Sequence, residues 1–202
     1  KRMGENSRIA WTDHTFNPWW GCSKASPACN HCYAEAWAAR FELHIWGQNA
    51  PRHFFGDKHW EEPLRWNAKA QKAGIPARVF CGSMCDVMED HIELQQIRVE
   101  RLYPLIENTP QLDWILLTKR PQNFRRFLPK SWLENPRPNV IGMVTVENEY
   151  FTWRITELLR TPFVWRGISL EPLLGPVDIS PFVGVKLRKL HPDWCGPKIH
   201  PS

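Results

Sequence analysis

Four short apolar runs stand out along the chain, at residues 79–81, 114–117, 140–144 and 164–170, the last interrupted by Arg166 and Gly167. Their length and β-branched content predict buried strands. Between them, apolar positions recur at helical spacing. Tyr33, Trp37 and Phe41 fall on every fourth residue, as do Phe151, Ile155 and Leu159, while Ile92, Val99, Leu102 and Ile106 share roughly one face. Such stripes are expected to pack on a sheet, and Pro104 is expected to kink or end the third helix. Alternating strand and helix predicts an α/β fold with a parallel sheet and right-handed crossovers.

Each apolar run ends in polar residues: Ser83 and Asp86, then Thr118, Lys119 and Arg120, then Thr145, Glu147 and Asn148, then Ser169 and Glu171. In parallel α/β folds the carboxyl ends of the strands form the ligand-binding rim, so these groups are predicted to converge on one mouth. The 18 prolines are scattered and no repeat or linker interrupts the pattern, which predicts one domain over 1–202 with an irregular segment from about 177.

Composition changes this picture little. Charged residues make up 23% of the chain and are interspersed, which argues against long disorder. The net charge of +5 and the pI near 9.0 suit a polyanionic partner, and some of the 12 tryptophans are of a type that stacks on bases. No apolar stretch approaches a membrane span and none follows the basic pair Lys1-Arg2, so a cytoplasmic protein without membrane contact is expected.

Cysteine placement carries the chemistry. Cys22, Cys29 and Cys32 stand in a C-x6-C-x2-C pattern within eleven residues, in a loop broken by Pro18, Gly21 and Pro27. In this compartment metal or redox chemistry is favoured over disulfides. Three thiolates can hold three irons of a four-iron cluster and leave the fourth open, whereas a fourth thiolate would favour plain electron transfer. Structural zinc is the alternative, with His14, His31, Cys81 or Cys85 as the fourth ligand. Cys81, Cys85 and Cys195 otherwise read as isolated thiols.

The frame Asn17-Pro18-x-x-Gly21-Cys22 followed by Cys29-x-x-Cys32-Tyr33-Ala34 resembles the radical S-adenosylmethionine superfamily, in particular its spore photoproduct lyase-like branch. The usual signature is C-x3-C-x2-C, and residues near Ser26-Pro27-Ala28 read as a three-residue insertion. From Ile9 to Pro176 the chain also resembles a phage-associated family of three-cysteine proteins, through Gly82-Ser83-Met84-x-Asp86, Leu117-Thr118-Lys119-Arg120-Pro121 and Val144-Thr145-Val146-Glu147-Asn148. The Gly-Gly-Glu-Ser-Gly and Lys-Gln-Trp-Gly stretches expected toward that family's C-terminus are missing.

This resemblance implies a partial parallel (β/α) barrel, and the missing late stretches are a departure from it that points to a truncated C-terminal end. It implies a 4Fe-4S cluster on Cys22, Cys29 and Cys32 whose open iron binds S-adenosylmethionine, a 5′-deoxyadenosyl radical, and an electron donor such as flavodoxin or ferredoxin. His31 and Tyr33 would lie against the cofactor, Ser83 and Asp86 near its methionine end, Thr145 and Asn148 near the ribose, and Glu171 at the next strand. Lys119 and Arg120 would grip a phosphate or carboxylate of a DNA, RNA or nucleotide substrate in a bacterial host cell. A binding module without catalysis, holding zinc or a degenerate cluster, is the competing expectation.

Overall fold

The computed structural model describes residues 4–182. In chain order its elements are β1 (His14–Phe16), β2 (Trp19–Trp20), α1 (Tyr33–Ala39), β3 (His53–Phe54), α2 (Asp57–Trp60), α3 (Glu62–Ala73), β4 (Ala77–Cys81), α4 (Leu94–Ile97), a π-helical turn (Arg98–Leu102), α5 (Tyr103–Glu107), β5 (Leu112–Thr118), α6 (Phe124–Phe127), α7 (Lys130–Glu134), β6 (Val140–Thr145), α8 (Trp153–Arg160) and β7 (Trp165–Ser169). Short 3-10 turns join several of them. Five strands form one sheet in the order β1-β4-β5-β6-β7, and every neighbouring pair is parallel. β2 and β3 pair antiparallel in a separate ribbon. The fold is therefore mixed α/β on a parallel sheet, as the alternating pattern predicts.

Strand alternation divides the sheet into two unlike faces. On one, Val79, Cys81, Leu112, Trp114, Leu116, Val140 and Val144 pack against helical residues that include Trp66, Leu102, Ile106, Phe124, Ile155 and Leu158. On the other, Ile115, Ile141 and Met143 form a smaller cluster with Trp11, Leu117 and Trp165. Gly142 sits where β6 meets the first core, and a Cβ there would collide with the Phe163 ring, which itself packs edge-on to Phe124 at 4.9 Å. Gly142→Ala is accordingly expected to lower stability by about 1–3 kcal/mol through overpacking, seen as an earlier urea midpoint with an unchanged slope.

Three sequence expectations need correction. β1 was not marked by any apolar run, yet its three residues pair with Val79, Phe80 and Cys81. The stripe Tyr33, Trp37, Phe41 does not pack on the sheet: Tyr33 and Phe41 are exposed, and Ala34 and Ala38 are buried instead. Both sets have the same four-residue spacing, and the small alanines allow the closer approach to the protein body. The aromatic side faces outward, with Trp37 edge-on to Trp20 at 5.1 Å between ring centroids and tilted against Phe41 at 4.6 Å. Finally, Ile92 and Val99 are exposed while Leu102 and Ile106 are fully buried. Ile92 precedes α4, and the wider π turn ahead of Pro104, which has no N–H to offer, rotates Val99 off the buried face. Val177, Ile179 and Phe182 pack on the core in the irregular segment that begins at about 177; its continuation from 183, and Cys195, lie outside the described residues. No helix among the described residues is long and apolar enough to cross a membrane.

Candidate functional site

Because all five strands run the same way, their carboxyl ends share one rim, and the loop after β1 folds across it. Asn17 fastens this loop: its Oδ1 accepts the Met84 N–H at 2.7 Å and its Nδ2 donates to Ser83 Oγ at 3.0 Å. Gly21 then turns with φ +109°, donating its N–H to the Met84 carbonyl at 3.1 Å, and a Cβ there would run into the Ile45 carbonyl. Only glycine suits both the dihedral and the space. Cys22 follows, its carbonyl accepting the Gly47 N–H at 2.9 Å.

Ser23 anchors the next step to a buried ion pair. Its N–H donates to Glu89 Oε1 at 2.7 Å, and Glu89 is bound by Arg52 through Nη2 at 2.8 Å and Nε at 3.0 Å, with both side chains essentially without solvent contact. Beneath them Arg98, fully buried, donates to the carbonyls of Val87 at 3.1 Å and Glu89 at 3.0 Å and lies 4.2 Å over the Phe127 ring. The Glu89 segment is thus held from below by one arginine and from the side by another.

A second network reaches the loop from β5. Asp86 accepts the Thr118 hydroxyl at 2.6 Å and the N–H groups of Met88 at 3.0 Å and Lys119 at 3.1 Å. Arg120 donates to Asp86 Oδ2 at 3.0 Å, to the Ser23 carbonyl at 2.7 Å and to Ser23 Oγ at 2.9 Å, and its Nη1 lies 3.7 Å from Cys22 Sγ. Burial works to raise the Asp86 pKa, but Arg120, Thr118 and the backbone donors outweigh it and hold the carboxyl below its ordinary value. Burial likewise works against the Arg120 charge, yet Asp86, Cys22 and Glu89 more than compensate and keep the guanidinium protonated. Burial, reinforced by Glu89 and Asp86, pushes the Cys22 thiol up to about 12 against the pull of Arg120. A bound metal would have to displace that proton.

Cys29 lies in a 3-10 turn (Pro27–His31), where its sulfur accepts the Ala25 N–H at 3.5 Å, and Cys32 is the residue that starts α1. Tyr33 donates its hydroxyl to the Ser83 carbonyl. All three cysteines line one cavity of about 500 Å³, within the range of small-molecule and cofactor sites. Strand-end polar groups share its wall: Ser83, Asp86, Thr118, Lys119, Thr145 and Ser169, with Arg120 and Glu171. Trp11, Phe80 and Leu117 supply its apolar side, and His31 and Tyr33 also border it.

The structure therefore gathers His31, Tyr33, Ser83, Asp86, Thr145, Glu171, Lys119 and Arg120 around the three thiols. It leaves Asn148 out: its Oδ1 accepts the Tyr150 N–H at 3.0 Å and caps the turn Glu149–Phe151. Glu147 is also turned away, buried against Arg154 at 2.6 Å. Arg120 is spent on Asp86, Ser23 and Cys22 rather than free for substrate. Among the zinc alternatives, His14 stacks on Trp66 with centroids 4.4 Å apart and Cys81 is buried in the core, neither on the cavity. Cys85 does line it, as do Trp46 and Met84. Cys85 follows Cys81 by four residues past the end of β4, a placement that a reading of strand-end groups could have included.

The five cysteines among the described residues are free thiols. No three His, Cys, Asp or Glu side chains among the described residues stand close enough to share one metal ion.

An α/β protein with a parallel five-strand sheet and a cysteine-lined cavity at its carboxyl rim is the class that fold and site define. The chain belongs to the family described as protein of unknown function (DUF5131), whose profile matches residues 6–197. No curated protein sequence matches it. Among solved structures, the fold is similar to a mutant of spore photoproduct lyase with bound AdoMet and dinucleoside spore photoproduct, with a TM-score of 0.53 and 10% identity, covering 82% of this chain and 47% of that one. The chain spans about half the length of that protein, and the likeness is one of fold.

Proposed function

We propose that this protein is a radical S-adenosylmethionine enzyme whose Cys22, Cys29 and Cys32 hold a 4Fe-4S cluster. The observation that carries the reading is that all three thiols line one cofactor-sized cavity at the carboxyl rim, together with the strand-end polar groups. Supporting it are the C-x6-C-x2-C spacing of the thiols along the chain and the fold likeness to a protein with bound AdoMet. On this reading the five parallel strands are the larger part of a partial barrel.

When bound, the cluster supplies the electron that cleaves S-adenosylmethionine to methionine and a 5′-deoxyadenosyl radical, which takes a hydrogen atom from the substrate. The chain's own residues do the remaining work. Ser83, Thr145, Ser169 and Glu171 offer hydrogen-bonding groups to the polar ends of the cofactor, and His31 and Tyr33 border it. Trp11, Phe80 and Leu117 keep water from the apolar side of the cavity. Asp86, held ionised, fixes the loop that carries Ser83 and Cys85. Nucleic acid or a nucleotide is the substrate class we assign, on the +5 balance and the dinucleoside bound by the structural neighbour; Lys119 is then the cation on the cavity wall that meets phosphate. Reducing equivalents come from a donor of the flavodoxin or ferredoxin type.

Anaerobic reconstitution with iron and sulfide is the test. Brown protein that releases 5′-deoxyadenosine after reduction with S-adenosylmethionine present is the expected outcome. Colourless protein with one zinc per chain, which unfolds on chelation, would instead support a structural metal and a binding role.

A further inference from the structure

We infer that Arg120 sets the reduction potential of the centre on Cys22, an inference that rests on the cluster reading above. Arg120 leaves the end of β5 and spans the gap to the cysteine loop, with its side chain only 11% exposed. Its Nη1 is 3.7 Å from Cys22 Sγ, within reach of a hydrogen bond to sulfur, and 3.0 Å from Asp86 Oδ2. Its Nη2 is fixed by Ser23 at 2.7 Å and 2.9 Å. Four contacts on one planar fork leave it little freedom.

The position has a second consequence. Arg120 and Trp46 border both the cysteine cavity and an adjoining polar cavity of about 550 Å³ lined by Lys24, Gln48 and Asp90. Cys22 also pairs along the backbone with Trp46. The guanidinium therefore stands in the wall between the two cavities, where bulk water would otherwise approach the Cys22 sulfur. A fixed cation and a hydrogen bond at a cluster thiolate both favour the more negative, reduced state, and hydrogen bonding to sulfur, net charge and solvent exposure are the protein's levers on such potentials. Asp86 opposes this in part, because its negative charge faces the same guanidinium. Arg120 is thus a positioning residue, acting through Cys22.

The electrostatic account predicts opposite signs for the two partners. In reconstituted protein, a redox titration followed by electron paramagnetic resonance should give a more negative midpoint for Arg120→Gln than for wild type. Asp86→Asn, which keeps the acceptor for Thr118 and Met88 and frees the cation, should give a more positive one. A purely structural role would lower iron content in both and leave the midpoint of the loaded fraction in place. Should Arg120→Gln take up no cluster, Arg120→Lys, which gives up the planar fork and its fixed bond to sulfur, decides alone: a more negative midpoint than wild type supports the inference, and no shift or an upward one overturns it. Midpoints equal to wild type, or moving the same way in both variants, overturn it while leaving the cluster reading intact. Wild-type protein that takes up no iron and sulfide overturns both.

Discussion

Cys29→Ala is expected to lose the bound iron and to drop 5′-deoxyadenosine release to background, a fall of more than about a hundredfold, since even outer partners of metal ligands are worth 10–100-fold. The variant should fold normally. Cys29 is half-buried in its 3-10 turn, its sulfur takes the Ala25 N–H and a 4.0 Å contact with Ser26, and neither contact holds the sheet together. Cys81→Ser or Cys81→Ala, in the core and away from the cavity, is the control for general thiol loss and should keep its iron. Cys85→Ala gives the sharper comparison, because Cys85 lines the same cavity. Retained iron in that variant means three thiolates suffice and an iron stays open to the cofactor. Loss of iron on changing Cys85 as completely as on changing Cys29 would point to a four-thiolate site, and the proposed radical chemistry would fail with it.

The site was more legible in the sequence than the scaffold around it. Polar residues after apolar runs sit at strand ends for a geometric reason, and in a parallel sheet those ends coincide, so the pattern along the chain already brings Ser83, Asp86, Thr118, Thr145 and Ser169 to one rim. Asn148 failed because a short polar side chain just past a strand serves equally well as a cap, which is what it does for Tyr150. β1 escaped because two of its three residues are polar: buried His14 rests on Trp66, and Thr15 is held by backbone pairing. Tyr33, Trp37 and Phe41 misled because periodicity reports a face and not which side of the helix is inward. Hardest of all were the buried ion pairs. Arg52 and Glu89 lie 37 positions apart and leave no local pattern, and a charged residue is ordinarily an exposed one.

That hidden pair yields the other large effect. Glu89→Ala should destabilise the protein by about 3–5 kcal/mol, the usual result of leaving one member of a buried pair unmatched, against a total stability of about 5–15 kcal/mol for a domain. The loss has two sources on one side chain. Among the described residues Arg52 would keep a buried charge with the carbonyls of Ile45, Gly47, Ala50 and Pro51 as its acceptors, and Ser23 would lose the acceptor for both its N–H and its hydroxyl. The second loss is local to the cysteine loop, so iron uptake should weaken even where the sheet remains folded. A double-mutant cycle separates the two: Arg52→Ala with Glu89→Ala should cost less than the sum of the single changes, because removing both charges leaves neither stranded. Glu89→Gln preserves an acceptor for Ser23 and should spare iron uptake more than stability. Unfolding free energies within about 0.5 kcal/mol of wild type for Glu89→Ala, the range of an ordinary surface change, would show that the pair does not anchor the loop, and Asn17 and Arg120 would be left as its tethers.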